Sequence, residues 1–525
     1  MNDEIYRLAE PKKKGLLHLL FSRFLVIVLL ILLQIALIVS FYGWLVHLAP
    51  WVMSLYGIFT IVIIIYLFNN RMDSTAKLTW MFVIAVFPLV GAFFLWFTQS
   101  NFVNRKVQKR ILLMIRKTKG RIPQPEEVEG QLEQDHSGSL LLSRYLQNTG
   151  CFPIYQNTEV TYFPSGEDKF AAVLRELQKA EKFIFLEYFI IEEGYMWGEI
   201  LRILVEKAKE GVDVRVMYDG MCELSQLPSE YWKLLEQQGI RAKAFSLIQP
   251  VLSSHYNYRD HRKILVIDGK VAFNGGVNLA DEYINRVERF GHWKDTALML
   301  KGDAVRSFTL LFLQMWNVTE KKVSFDAAKL DVQTDPADFA VSPQGYVMPY
   351  GDCPMDEYKV GEAVYMDILN RAERYVHIMT PYLILDGELE TALKLAAQKG
   401  VDIKIILPGI PDKKLAYALA KSHYRSLMDA GVKLYEYTPG FVHAKVFTCD
   451  DCKGVVGTIN LDYRSLYHHF ECATYLYKVP CISEIEQDYQ ETLAKCRRIT
   501  SDMVKHEKLS YKLVGVLTKF LAPLL

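Results

Sequence analysis

One pattern of polar residues occurs twice in this chain. His261-Arg262-Lys263 is followed by Asp268, and His443-Ala444-Lys445 by Asp450, so both copies read H-x-K-x-x-x-x-D. An asparagine stands 17 positions after each histidine, Asn278 and Asn460, preceded by the small residues Gly275-Gly276 and Gly457-Thr458. A further acid lies beyond each copy, Asp295 and Glu471. A fold that holds both copies needs two similar halves. On a strand, His and Lys two positions apart point the same way, so facing halves surround one cleft with two imidazoles and two ammonium groups. That set suits holding a phosphodiester and cutting it through a histidine. Lys263 and Lys445 supply positive charge to the phosphoryl oxygens as negative charge builds. Asn278 and Asn460 add neutral donors. Asp295 and Glu471 are candidates to accept an Nδ1–H from each ring and fix its tautomer. This chemistry needs no metal and no cofactor, and none is expected.

The rest of the chain repeats in outline. Ala180-Glu181-Lys182-Phe183 opens the apolar run FIFLEYFII, and Ala372-Glu373-Arg374-Tyr375 opens VHIMTPYLIL. A helical stretch follows each, ending at Gly211 and Gly400, and then come the strands 212–216 and 401–405. Glycine after a helical pattern is a common stop. Strands alternating with helices predict a mostly parallel sheet covered by helices. The polar, acidic segment 123–138 reads as an exposed linker.

Three apolar stretches, 24–47, 51–68 and 78–97, each come near the roughly 20 residues that a membrane helix needs. Lys12, Lys13, Lys14 and Arg23 precede the first. Arg71 and Lys77 follow the second, and Arg105, Lys106, Lys109, Arg110, Arg116, Lys117, Lys119 and Arg121 follow the third. Basic flanks favour the cytoplasm, and three full crossings cannot keep all three clusters there. The first two stretches form a hairpin turned at Leu48-Ala49-Pro50. The third carries Pro88 and Gly91, which weaken a straight helix, so a re-entrant or interfacial course is favoured over a third crossing. The eight scattered cysteines fit reduced thiols in a cytoplasmic domain. Cys449 and Cys452 form a CxxC without a second ligand pair, which reads as a plain strand end.

These motifs resemble the phospholipase D superfamily, and within it the bacterial cardiolipin synthases. FNGGVNLADEY after the first copy, GTINLDYRS after the second, the TPY of Thr380–Tyr382 and ALKLAAQKGVDIKIILPG carry the closer likeness, over nearly the whole chain. Asp260 and His469 depart from it, standing where the family has asparagine. The resemblance implies an α/β fold with mixed sheets, in two phospholipase D-like half-domains related by a pseudo-twofold and preceded by an N-terminal transmembrane region. Its boundaries are a membrane anchor over 1–104, a basic then acidic linker over 105–139, half-domains over 140–335 and 336–505, and an amphipathic tail over 506–525. It assigns His261, Lys263, Asp268, His443, Lys445 and Asp450 to the catalytic motifs, with Asn278, Asn460, Asp295 and Glu471 as substrate-binding or supporting residues. His261 is then the nucleophile, and His443 the general acid and later the base. It also suggests that Asp268 and Asp450 support the fold more than they touch phosphate; the residues alone allow either role.

The expected reaction transfers a phosphatidyl group from one phosphatidylglycerol to another, giving cardiolipin and glycerol through a phosphatidyl-histidine. The expected partners are phosphatidylglycerol and anionic membrane lipids, with no nucleic acid and no stated oligomeric state. The expected location is the bacterial cell membrane, multi-pass, with a cytoplasmic catalytic domain. A hydrolytic phospholipase D and a tethered nuclease are the rivals. A net charge of +1 gives no global attraction to nucleic acid. Among the other candidates, His423 reads as a packing or surface residue, and His469 as either cleft lining or packing. Tyr256, Tyr258 and Arg259 are candidate headgroup contacts. Leu509, Leu513, Val516, Leu517, Phe520 and Leu521 share a helical face with lysines off it, which favours a membrane-surface helix over core packing.

Overall fold

The computed structural model describes residues 6–9, 50–70, 72, 74–99, 105–135, 138–150, 152–245, 258–330, 332 and 339–521. The chain divides into two compact units. The larger holds residues 1–11, 104–249 and 256–519, and is built on two sheets.

The first half contributes nine strands: β1 (Thr158–Phe163), β2 (Phe183–Tyr188), β3 (Asp213–Asp219), β4 (Arg241–Phe245), β5 (Arg259–Asp260), β6 (Lys263–Ile267), β7 (Val271–Gly275), β8 (His292–Lys294) and β9 (Ala297–Gly302). The second contributes β10 (Tyr346–Asp352), β11 (Tyr375–Met379), β12 (Asp402–Pro408), β13 (Lys433–Tyr437), β14 (Gly440–Val442), β15 (Val446–Cys449), β16 (Lys453–Gly457), β17 (His469–Tyr477) and β18 (Cys496–Arg498). The first sheet runs β1-β9-β7-β6-β2-β3-β4 and the second β10-β17-β16-β15-β11-β12-β13-β18. Apart from the added β18, the order is the same in both. The two halves therefore repeat in topology as well as in sequence.

The mostly parallel sheet is corrected to a mixed one. Only β2–β3–β4 and β11–β12–β13 are parallel runs; the strands around the duplicated motif pair antiparallel. The reason is the short connection after each motif, since a tight turn joins only antiparallel neighbours. Asp268 and Asp450 sit on those turns with φ of 53°. Asp268 accepts from the backbone N–H of Glu181, Lys182 and Phe183, each at 2.8 Å. Asp450 accepts from Glu373, Arg374 and Tyr375 at 2.8–2.9 Å. This arrangement fits the fold-supporting role that the resemblance suggests for both. Each carboxylate satisfies three donors at the start of the neighbouring strand, at the opposite end of the motif strand from the histidine.

The segment 105–139, expected as a linker, carries helices among its described residues. A helix over Arg105–Thr118 belongs to the larger unit and buries Ile111 and Met114 in its main core. The Thr118 hydroxyl accepts from Gln314 at 2.7 Å, and Arg110 donates to the Glu320 carbonyl at 2.5 Å. The acidic segment is exposed but helical over Glu126–Gln134, with Leu132 buried and Glu129 paired to Arg144 at 2.7 Å. The tail is helical over Leu509–Leu521 and lies against the helix Lys414–Asp429. A Cβ on Gly515 would lie 2.8 Å from the Ala418 carbonyl oxygen, while Leu509 and Leu513 are exposed.

In the smaller unit, the apolar stretch 24–47 lies outside the described residues. The second stretch falls in the helix Pro50–Asn69, whose described side chains begin at Ser54. The third is two helices, Ser74–Val86 and Pro88–Gln99. The chain bends sharply between them: a Cβ on Gly91 would stand 3.1 Å from the Cα of Ile84, seven residues earlier. Pro88 has no N–H to continue the hydrogen-bond ladder. Among the described residues no helix is long and apolar enough to cross a membrane.

Removing either turn carboxylate should cost stability. We expect Asp268→Ala and Asp450→Ala each to lower unfolding free energy by roughly 2–3 kcal/mol, because three donors lose a charged acceptor. Folded protein should keep its turnover. An unchanged denaturation midpoint with lost turnover would return these residues to the chemistry.

Candidate active site

The two halves are stitched where the motifs begin. β5 pairs in parallel with β17 of the other half, Arg259 opposite His469 and Asp260 opposite Phe470. β14 pairs in parallel with β8, Val442 opposite Lys294. The next residue in each case is the motif histidine. His261 N–H donates to the Phe470 carbonyl at 2.9 Å, and His443 N–H donates to the Lys294 carbonyl at 2.7 Å. Phe470 and Lys294 are the residues just before Glu471 and Asp295. Each histidine is therefore seated beside the acid of the opposite half. His261 Nδ1 lies 2.9 Å from both Glu471 carboxylate oxygens, and His443 Nδ1 lies 2.7 Å from Asp295 Oδ2.

The two acids are held differently. Asp295 also accepts from the Thr296 N–H at 2.8 Å. A Cβ on Gly276 would meet its Oδ1 at 2.1 Å, so a glycine there makes room for the acid. The matching residue of the second half is Thr458, whose hydroxyl instead donates to Glu471. Ser465 donates to the same carboxylate at 2.7 Å. Glu471 thus shares its charge among a ring and two hydroxyls. Sequence reading missed Thr458 and Ser465; the Gly-to-Thr exchange at matched positions was the available signal.

Lys263 and Lys445 are almost wholly buried. Each Nζ donates to the carbonyl of its own motif histidine, Lys263 at 2.6 Å. Lys445 Nζ also lies 2.9 Å from His443 Nδ1. Burial pushes Lys263 down to about 8 and Lys445 to about 7, the latter helped by repulsion from Lys263. Burial, then Lys263, Lys445 and His443, hold His261 well below its ordinary range. Burial and Lys445 lower His443 to about 4. Burial would raise Asp295, but His443 and Lys445 outweigh it and keep the carboxylate ionised. Both rings are therefore shifted toward their neutral forms in the free site. These cross-half effects place both motifs in one electrostatic environment.

Aromatic rings wall each histidine. Phe189 stands edge-on to His261 with centroids 4.9 Å apart, and Tyr283 stands edge-on to His443 at 5.4 Å. The asparagines are not equivalent. Asn278 accepts from the Ile190 N–H at 3.1 Å and donates to the Tyr283 hydroxyl at 2.7 Å, so it braces the wall of the cleft. One of its two amide N–H groups is committed to Tyr283. Asn460 is buried, and its Oδ1 has no partner among the described residues. Lys169, absent from the sequence reading, is buried and donates to the Val277 carbonyl at 3.1 Å and the Tyr188 hydroxyl at 3.0 Å.

The remaining candidates fall outside the cleft or at its edge. Arg259 is buried and pairs with Asp219 at 3.4 Å, so it is not a headgroup contact; Tyr256 lies outside the described residues. Asp260 balances the buried Arg262, which also pairs with Glu187 at 2.5 Å. His423 packs in its helix with Glu390 at 3.0 Å. His469 lies beside His261, with ring centroids 5.4 Å apart. Among the described residues, His261, His469 and Glu471 form one group able to hold a metal, and Glu362, Asp386 and Glu388 another; Cys449 and Cys452 belong to neither.

Two facing halves, each bearing H-x-K and crossed with the other's acid, define a phospholipase D-like protein. The family model described as cardiolipin synthase, PLD-like domain, matches residues 173–316 and 365–493. The chain belongs to that family. It is 34% identical over 485 residues to a cardiolipin synthase of Alkalihalophilus pseudofirmus, covering 92% of this chain and 95% of the relative. It is 56% identical over 462 residues to an uncharacterized protein of Streptococcus mutans, covering 88% of this chain and 99% of the relative. A solved phosphatidylserine synthase of Haemophilus influenzae shares the fold, with a TM-score of 0.56 and 14% identity over 73% of this chain and 98% of that one.

The lysines predict a pH effect on binding. Above about 7 and 8 the free site loses the protons of Lys445 and Lys263, while a bound phosphodiester favours their charged forms. The KM for an anionic phospholipid should therefore rise by about tenfold between pH 7 and 9. A KM that stays flat over this range contradicts the assignment.

Proposed function

We propose that this chain makes cardiolipin from two phosphatidylglycerol molecules. The observation that carries the reading is the pair of histidines, each hydrogen-bonded to the other half's acid, beside two buried lysines. His261 Nε2 attacks the phosphorus of the first phosphatidylglycerol. The bond from phosphorus to the headgroup glycerol oxygen breaks, and His443 hands that oxygen a proton. Substrate charge helps here, because an anion in the site raises the proton affinity of an imidazole otherwise held down to about 4. The terminal hydroxyl of the second phosphatidylglycerol then gives its proton to His443 and attacks the phosphatidyl-histidine, freeing His261. One phosphodiester bond replaces another, so no nucleotide is consumed. Lys263 and Lys445 neutralise the charge that builds on the phosphoryl oxygens.

The unequal acids support this division of roles. Asp295 is held ionised beside His443, which suits a ring that must become imidazolium. Glu471 is shared with Thr458 and Ser465, which weakens its pull on His261 and suits a neutral nucleophile. His261→Ala and His443→Ala should each abolish transfer in folded protein, and the double variant should be little worse than either. Incubation with phosphatidylglycerol alone should yield cardiolipin and one glycerol per cardiolipin. Phosphatidic acid as the sole lipid product would make the chain a hydrolase, and turnover by either single variant would remove the two-histidine mechanism.

The reading also places the protein at a membrane, through an N-terminal anchor over 1–104 with an even number of crossings. The helix Pro50–Asn69 exposes Leu55, Ile58, Ile61, Val62, Ile65 and Phe68 around its surface, which suits a lipid surround. The bend before Pro88 suits a re-entrant third segment. Tyr6, Leu8 and Ala9 pack against the core of the first half, which supports keeping this segment on the catalytic domain's side. The basic flanks put both in the cytoplasm. In sealed cells, Glu127→Cys and Lys321→Cys should stay unlabelled by an impermeant thiol reagent added outside, above the native-cysteine background. Labelling at either site overturns this topology.

A further inference from the structure

His469 stands against the active site without a task in the transfer reaction. It opens β17 two residues before Glu471, so strand parity turns both side chains to the same side. Its side chain is about nine-tenths buried, and neither ring nitrogen has a hydrogen-bond partner among the described residues. Its Nδ1 lies 3.6 Å from Glu471 Oε1, just beyond hydrogen-bond range. Leaving a buried polar ring unpaired is costly. At the matching position of the first half, two residues before Asp295, stands Trp293. Its ring lies 5.4 Å from His443 and cannot bind an ion. The feature is therefore confined to the His261 side.

The ligand atoms of His261, His469 and Glu471 all lie within 4.8 Å of one another. Two neutral imidazoles and a carboxylate suit a borderline divalent ion such as Zn²⁺. Bonds of about 2.0–2.2 Å in a tetrahedron separate ligand atoms by about 3.3–3.6 Å. The spacings here are 2.9 Å from His261 Nδ1 to Glu471 and 3.6 Å from His469 Nδ1 to Glu471, so small side-chain shifts complete the site.

We propose that His261, His469 and Glu471 form an inhibitory site for Zn²⁺ or a similar divalent ion. The proposal rests on the assignment of His261 as nucleophile. In the working ring, Nδ1 carries the proton facing Glu471 and Nε2 keeps the lone pair that attacks phosphorus. An ion at Nδ1 takes the place of the proton there, and the ring proton must then reside on Nε2. Attack stops, because the attacking nitrogen has become a donor. The ion is held by two neutral rings and one carboxylate, so the exchange moves one proton within the ring and releases none. Basal transfer needs no metal, and chelation should relieve inhibition.

The test uses full-length protein freed of metal by a chelator, with Co²⁺ as a spectroscopic probe and Zn²⁺ as the inhibitor. In lipid-free detergent, Co²⁺ should give the visible absorption of a four-coordinate site with nitrogen ligands, and His469→Asn should lose it. In phosphatidylglycerol vesicles, Zn²⁺ should inhibit the wild type, and His469→Asn should need at least tenfold more Zn²⁺ for half-inhibition relative to its own metal-free rate. The comparison within one vesicle composition removes the effect of Zn²⁺ on the lipid. His469→Gln serves if the asparagine variant fails to fold. The absence of the Co²⁺ band in the wild type, its survival in folded His469→Asn, or equal Zn²⁺ sensitivity of both proteins would overturn the proposal. The Co²⁺ band needs no turnover, so it separates failure of this site from failure of the transferase reading.

Discussion

Everything in the catalytic unit depends on two short parallel strand pairs that cross between the halves. β5 on β17 and β14 on β8 set a backbone hydrogen bond from each motif histidine to the carbonyl preceding the opposite acid. That bond fixes register. Because side chains alternate along a strand, a slip of one residue would turn Glu471 or Asp295 away from its ring. Neither half alone holds a histidine with its acid, so docking of the halves and assembly of the chemistry are one event. The core agrees with this, since Phe185 and Ile264 of the first sheet and Val455 and Tyr475 of the second share one buried cluster.

The crossing was not legible in the sequence. Asp295 follows His261 in the chain and Glu471 follows His443, and nothing in spacing says that each acid serves the other ring. Strand parity predicts which way a side chain points, but not which strand lies alongside. What was legible was local. H-x-K on one face, the small residues before each asparagine and the strand–helix alternation all follow from period-2 and helical patterns. The turn role of Asp268 was open in the sequence, although Asp268-Gly269 between two apolar runs is a strong hairpin signal. The basic segment 105–121 was read as linker because its charges dominate it. Ile111, Met114 and Thr118 nevertheless recur at helical spacing, and that face is what the catalytic unit buries.

The repeat is close in backbone and unequal in side chains, and the inequalities collect around the two motif histidines. Gly276 against Thr458, Asp295 against Glu471 and Trp293 against His469 all alter the surroundings of the two histidines. A symmetric site would offer either ring equally as nucleophile or proton donor; unequal surroundings favour one assignment. Duplication supplies two imidazoles and two ammonium groups; divergence of the supporting residues separates their duties.

That divergence also bears on how the buried charges are tolerated. Two lysines pushed down toward neutrality and two histidines pushed well below their usual range oppose protonation of the empty site. The free protein thus avoids holding four positive charges in a desolvated cleft. An entering phosphodiester reverses the balance, because one negative charge favours the protonated form of every group around it. Binding and protonation are then linked: in the proposed mechanism, the substrate recruits the proton that His443 delivers. The low resting proton affinity, which by itself would disfavour general-acid catalysis, makes the acid form depend on substrate being present.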